Sequence, residues 1–149
     1  MKLEVKISAD TSHFNRGPLT RLTRSLSRSP GVGSRIANVI NSTVNKKATR
    51  AQKEVVNAVA RSGLKVERTA KENCPVDTGR LRSSINTTVK GQNSDYITAT
   101  VGTDVEYAGY VEYGSSKAAA QPYLKPALKK NIASIKADIR KAIKTGLDR

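Results

Sequence analysis

The amino-acid sequence predicts an α+β protein, in which a small antiparallel β-hairpin-based sheet is packed by a long N-terminal helix and a C-terminal amphipathic helix. Three observations predict it. Between Ser34 and Glu72 the apolar residues recur at spacings of three and four, the period of one helix face. Between Ile85 and Val101 the period drops to two, interrupted by the polar turn "GQNSD". From Pro122 the helical period returns, with Leu128, Ile132, Ile135, Ile139, Ala142 and Ile143 on one stripe.

The first element is a short strand. Leu3, Val5 and Ile7 alternate with Lys2, Glu4 and Lys6, and the mixed charge of the polar face suits a sheet edge. Next, Pro18 fits the first turn of a short amphipathic helix carrying Leu19, Leu22 and Leu26, which Pro30-Gly31 ends.

The long helix begins near Ser34, a residue type suited to an N-cap. Its stripe comprises Ile36, Val39, Ile40, Val44, Ala48, Ala51, Val55, Val56, Val59, Ala60, Leu64 and Ala70. At ~1.5 Å per residue it spans ~55–60 Å. "NSTVN" has low helix propensity and Gly63 costs ~1 kcal/mol relative to Ala, so a break is expected at one of the two. Pro75 stops the helix.

In the hairpin, Ile85, Thr87 and Val89 share one face of the first strand, and Ile97, Ala99 and Val101 share one face of the second. Tyr107, Tyr110 and Tyr113 follow at a spacing that fits a helical turn and a bent strand nearly alike. Pro126 suits the first turn of the terminal helix, and Gly146 its C′ position. The 149 residues are expected to form one domain, with 1–32 a basic Arg/Ser-rich strand and arm and 33–149 the core.

A hydrophobic fraction of 37%, with no Trp and one Phe, gives a modest aliphatic core of the kind often completed against partner subunits. No segment resembles a signal peptide or approaches the ~20 apolar residues that span a bilayer, so a soluble protein made in the cytoplasm is expected. The formal charge of +15 is unevenly placed. From Thr11 to Lys53 there are basic residues and no acid; from Gly91 to Ser116 there are Asp95, Asp104, Glu106 and Glu112 and no base. The first stretch, through Arg16, Arg21, Arg24, Arg28 and Arg35, is a candidate polyanion contact that would neutralise phosphates without reading bases. It could equally meet a neighbour's acidic segment in a homo-oligomer. The terminal helix is basic, but its apolar face has no Trp or Phe to seat in lipid.

Little points to catalysis. The single cysteine, Cys74, and the single histidine, His13, are far apart in sequence and cannot make a Cys/His metal site. Asp77-Thr78-Gly79 has the tripeptide of aspartic proteases, whose mechanism needs two such loops sharing a proton. This chain has one copy, and Arg80 and Arg82 favour an ionised carboxylate. The better reading is a fold joint: Pro75 ends the helix, Asp77 caps the next turn through its side chain, and Gly79 permits tight geometry.

Three motifs then occur in order: "PVDTGRLRSSI", "VGTDVEYAGYVEYGSS" and "QPYLKPAL". From about Ala51 onward this order resembles the phage tail-component family of tail-completion, or head–tail joining, proteins of long-tailed bacteriophages. It is also similar to the lambda protein Z-like minor tail proteins. The Arg/Ser-rich stretch Arg16–Ser29 looks like an extension particular to this chain. The resemblance implies a non-enzymatic structural protein of the virion, without cofactor, made in the host cytoplasm. It implies a ring of several copies around the tail axis, contacting other neck and tail proteins and helping a finished tail attach to a DNA-filled head. Under it, Pro75, Asp77, Thr78, Gly79 and Leu81 form the fold joint, and Tyr107, Tyr110, Glu112, Tyr113, Pro122 and Tyr123 form a subunit interface, with Pro122, Tyr123, Leu124 and Pro126 locking the start of the terminal helix onto the tyrosine corner. The alternative is that all three motifs are internal fold joints without partner contact.

Overall fold

The structure is a computed structural model and describes residues 3–11, 32–91 and 96–148. The elements are β1 (Leu3–Asp10), α1 (Val32–Asn73), α2 (Arg80–Ser84), β2 (Asn86–Lys90), β3 (Tyr96–Thr103), α3 (Ala108–Tyr113) and α4 (Leu124–Asp148). The short helix expected after Pro18 lies outside the described residues, as do Arg16, Arg21, Arg24 and Arg28.

The three strands form one antiparallel sheet in the order β1-β3-β2, so β1 is an edge as its mixed charge predicts. Its pairing with β3 runs its whole length, from Leu3 opposite Thr103 to Asp10 opposite Tyr96. This register puts Leu3, Val5 and Ile7 on the same face as Val101, Ala99 and Ile97. Thr87 and Val89 join that face from β2. The helices cover it, whereas the outer face, with Asn86, Thr88 and Lys90 exposed, is polar.

α1 lies on the sheet and α4 runs antiparallel along α1. Three pairs fix that orientation: Ala51 with Gly146, Lys65 with Ser134 and Asp138, and Thr69 with Asn131. The Lys65–Asp138 ion pair closes at 2.7 Å, and the hydrogen bond from Lys65, helped by its charge, holds the Asp138 carboxyl below its ordinary range.

The expected break in α1 does not occur. Gly63 is the point of closest approach between helix and sheet. A Cβ there would stand 2.6 Å from Thr87 Cγ2 and 3.1 Å from the Ala99 methyl. Only glycine lets the two layers meet, so its propensity cost is offset by packing. Within "NSTVN" the Ser42 hydroxyl donates to Val39 O at 2.9 Å, so its polar group is met by the helix's own backbone.

Gly146 has a similar role and is not a C′ residue: α4 continues to Asp148, and a Cβ on Gly146 would collide with the Cα of Ala51. The buried face of α1 is also shifted from the expected stripe. Val55, Val59, Ser62, Val66 and Ala70 are buried, while Leu64 is 58% and Val39 65% exposed. Once Val55 and Val59 set the face, the 3.6-residue period carries it through 62, 63 and 66 and leaves Leu64 outside.

Candidate interaction surface

Pro75 follows directly on the end of α1, and the chain turns there. Cys74 is buried at the turn, and burial pushes its thiol pKa up against the opposing charge of Arg82. Gly79 adopts a left-handed φ of 79° and starts α2, a helical turn that the alternating pattern alone does not reveal. Leu81 plugs the core from this turn.

The expected capping by Asp77 is not made. Its carboxylate is exposed and accepts no hydrogen bond among the described residues, whereas the Arg80 N–H leans on Thr78 Oγ1 at 3.4 Å. Among the described residues Asp77 therefore caps no amide. Behind the joint a hydroxyl relay ties α2 to the end of β3. The Val105 N–H donates to Thr103 Oγ1, whose hydroxyl bonds Ser84 Oγ at 2.6 Å, and Ser84 donates to Leu81 O at 2.7 Å.

The tyrosine segment is a helix, α3, with Tyr107 at its N-cap. Within it Glu112 points inward and is buried. Its Oε2 accepts the N–H groups of Tyr123 at 2.8 Å and Leu124 at 2.9 Å, and its Oε1 accepts that of Lys125 at 2.9 Å. These are the donors that a helix N-terminus leaves unpaired, and the next residue, Pro126, has none to satisfy. A carboxylate there also opposes the positive end of the helix dipole.

Two expectations are thereby corrected. Glu112 and Tyr123 are not surface residues available to a neighbour but internal parts of the joint between α3 and α4, 3% and 0% exposed. The Tyr123 hydroxyl finds no hydrogen-bond partner among the described residues. Burial, reinforced by the neighbouring Cys74 and Glu112, pushes its phenol pKa well above the ordinary range. A cue to the clamp is present in the sequence. Pro122-Tyr123-Leu124 offers no capping side chain, so the cap has to come from elsewhere in the chain.

The remaining motif residues do meet. The 75–81 joint and α3 enclose a groove of about 510 Å³, lined by Val76, Asp77, Leu81, Tyr107, Tyr110 and Val111 among others. A second hollow beside it is lined by Glu106, Tyr110 and Tyr113. Tyr110 is 65% exposed and Val76 60%, an apolar display of the kind that marks contact surfaces. Lys125 sits 4.5 Å from the Tyr113 ring centroid, a cation–π contact. Pro122 is exposed.

At the other end of α1 the chain is basic. Arg35, Lys46, Lys47, Arg50 and Lys53 are all exposed. Because α4 ends beside Ala51, the segment from Val32 to Arg50 extends past it by about 28 Å at ~1.5 Å per residue. Among the described residues no group of His, Cys, Asp and Glu could hold a metal ion, and no helix is long and apolar enough to cross a membrane.

The described residues form a helix-backed sheet with a tyrosine-lined groove at one corner, and a comparison with known proteins places the chain in a family. The family described as "Bacteriophage HK97-gp10, putative tail-component" matches residues 21–114, more than half of the chain. The chain belongs to this family of bacteriophage tail components. The match takes in the first of the three motifs and all but the last two residues of the second, and stops at Gly114, before the third. It starts at Arg21, so most of the Arg/Ser-rich stretch falls within the family's range and is not an extension particular to this chain. No curated protein and no solved structure matches it.

Proposed function

We propose that this tail component is a non-enzymatic structural subunit of the virion neck, which completes the tail and joins it to the head as one of several copies in a ring. The observation that carries this reading is the groove between the 75–81 joint and α3. It lies largely within the family-matched segment and exposes tyrosine and valine, residues suited to protein contact. Its partners are other copies of the chain and neighbouring neck and tail proteins. Synthesis is in the host cytoplasm and the destination is the virion. A phage lacking the gene should yield lysates of DNA-filled heads and separate tails that join on adding the purified protein. Intact infectious particles from that lysate would refute the reading.

A second reading is favoured by the acid-free stretch from Thr11 to Lys53: sequence-independent contact with genomic DNA through Arg16, Arg21, Arg24, Arg28 and Arg35. Filter binding at low and high salt tests it. Retention that falls steeply with salt, and disappears when Arg21, Arg24 and Arg28 are neutralised, supports it; salt-independent retention rejects it.

A further inference from the structure

We infer that the groove between the 75–81 joint and α3 is the receptor for the projecting basic segment of α1 from a second copy of this chain. This deepens the ring reading and rests on it.

Four features support the inference. The first is charge. In a chain of net charge +15, the groove and its neighbouring hollow are lined, among the described residues, by two acids, Asp77 and Glu106, and by no base. The α1 projection carries Arg35, Lys46, Lys47 and Arg50 and no acid. Among the described residues Asp77 accepts no hydrogen bond that would compete for its carboxylate.

The second is chemistry. This corner already holds one cation on a tyrosine, Lys125 over Tyr113, while Tyr107 and Tyr110 remain exposed. The third is apolar match. Val39 and Lys46 are seven residues apart and so share a face of α1, and Val39 is 65% exposed. A valine beside a lysine suits an aromatic groove better than it suits a phosphate backbone, which would call for charge alone.

The fourth is placement. The groove begins two residues beyond the C-terminal end of α1, and the projection is that helix's N-terminal end. Complementary surfaces at opposite ends of one element make a head-to-tail contact, the kind that generates rings when the rotation closes.

The test uses the full chain and two sets of exposed substitutions. The projection variant is Val39→Gln with Lys46→Glu, both good helix formers; the groove variant is Asp77→Lys with Tyr110→Gln. By analytical ultracentrifugation, wild type should assemble. Each variant alone should need about tenfold or more higher concentration to do so, as loss of an interface anchor does. An equimolar mixture should give a one-to-one dimer and stop there, since each variant keeps one intact end. Val39→Gln alone should weaken assembly without changing DNA retention.

Wild-type assembly with neither variant impaired, or folded variants that fail to pair when mixed, would overturn the inference while leaving the ring reading standing. A wild-type chain that stays monomeric at every concentration it reaches would overturn both. Loss of DNA retention with assembly intact in the projection variant would assign the projection to phosphate and overturn it as well.

Discussion

Glu112 holds the backbone of Leu124 from twelve residues away, its Oε2 2.9 Å from the Leu124 nitrogen, in a site that is 3% exposed. Replacing Glu112 by alanine leaves three amides at the buried start of α4 without an acceptor. The expected loss is about 2–4 kcal/mol of unfolding free energy, read from urea denaturation. Glu112→Gln, which keeps one acceptor oxygen, should lose roughly half as much. A loss below ~0.5 kcal/mol for the alanine variant would mean that water satisfies these amides equally well.

Gly63→Ala sets propensity against packing. On an exposed helix the change would stabilise by ~1 kcal/mol. Here the added methyl would meet Thr87 Cγ2 at 2.6 Å, so a net destabilisation of about 1–3 kcal/mol is expected. Thr87→Ser removes that methyl and keeps the hydroxyl that bonds Glu67. The double variant should therefore recover part of the loss, and a strictly additive double-mutant cycle would contradict the contact.

Tyr123→Phe should leave stability unchanged or raise it by up to about 1 kcal/mol, because the deleted hydroxyl is buried and has no partner among the described residues. A loss above ~1.5 kcal/mol would show that the hydroxyl is bonded in solution.

Glu67 links α1 to β2. Burial raises its pKa, but hydrogen bonds from Lys71 at 2.6 Å and Thr87 at 2.7 Å, with the charge of Lys71, outweigh burial and hold it below the ordinary range. A carboxyl depressed in the folded state stabilises fully above its unfolded pKa of about 4.3, and the contribution is lost as pH falls toward the folded value. The stability difference between wild type and Glu67→Gln should therefore shrink as the pH of urea denaturation is lowered from neutral through that range. A difference that stays constant or grows on acidification would contradict the assignment.

The elements most legible in the sequence are those whose burial repeats. β1 and β3 each bury one face, and α4 buries Ile135 and Ala142 of its expected stripe while Ile132 is 47% exposed; a one-faced element writes its period into the order of residues. The face of α1 is harder to read because hydropathy favours Leu64, while the close layer contact selects Ser62 and Gly63. α2 is a single turn, too short to establish a period. The 75–81 joint is recognisable from Pro75 and Gly79, but the capping expected of Asp77 is not made. The clamp at Glu112 is hidden for a different reason: its partners are amides, and an amide has no letter. Glu112 and Tyr123 therefore read as surface residues when they belong to the interior.

That same anonymity has an evolutionary consequence. A carboxylate that grips main chain is indifferent to which side chains the gripped residues carry. As far as the three bonds to Tyr123, Leu124 and Lys125 are concerned, the opening of α4 can be rewritten freely while the anchor stays. The family match ends at Gly114, two residues past Glu112. Glu112 thus lies inside the matched range, and the residues whose amides it holds lie outside it.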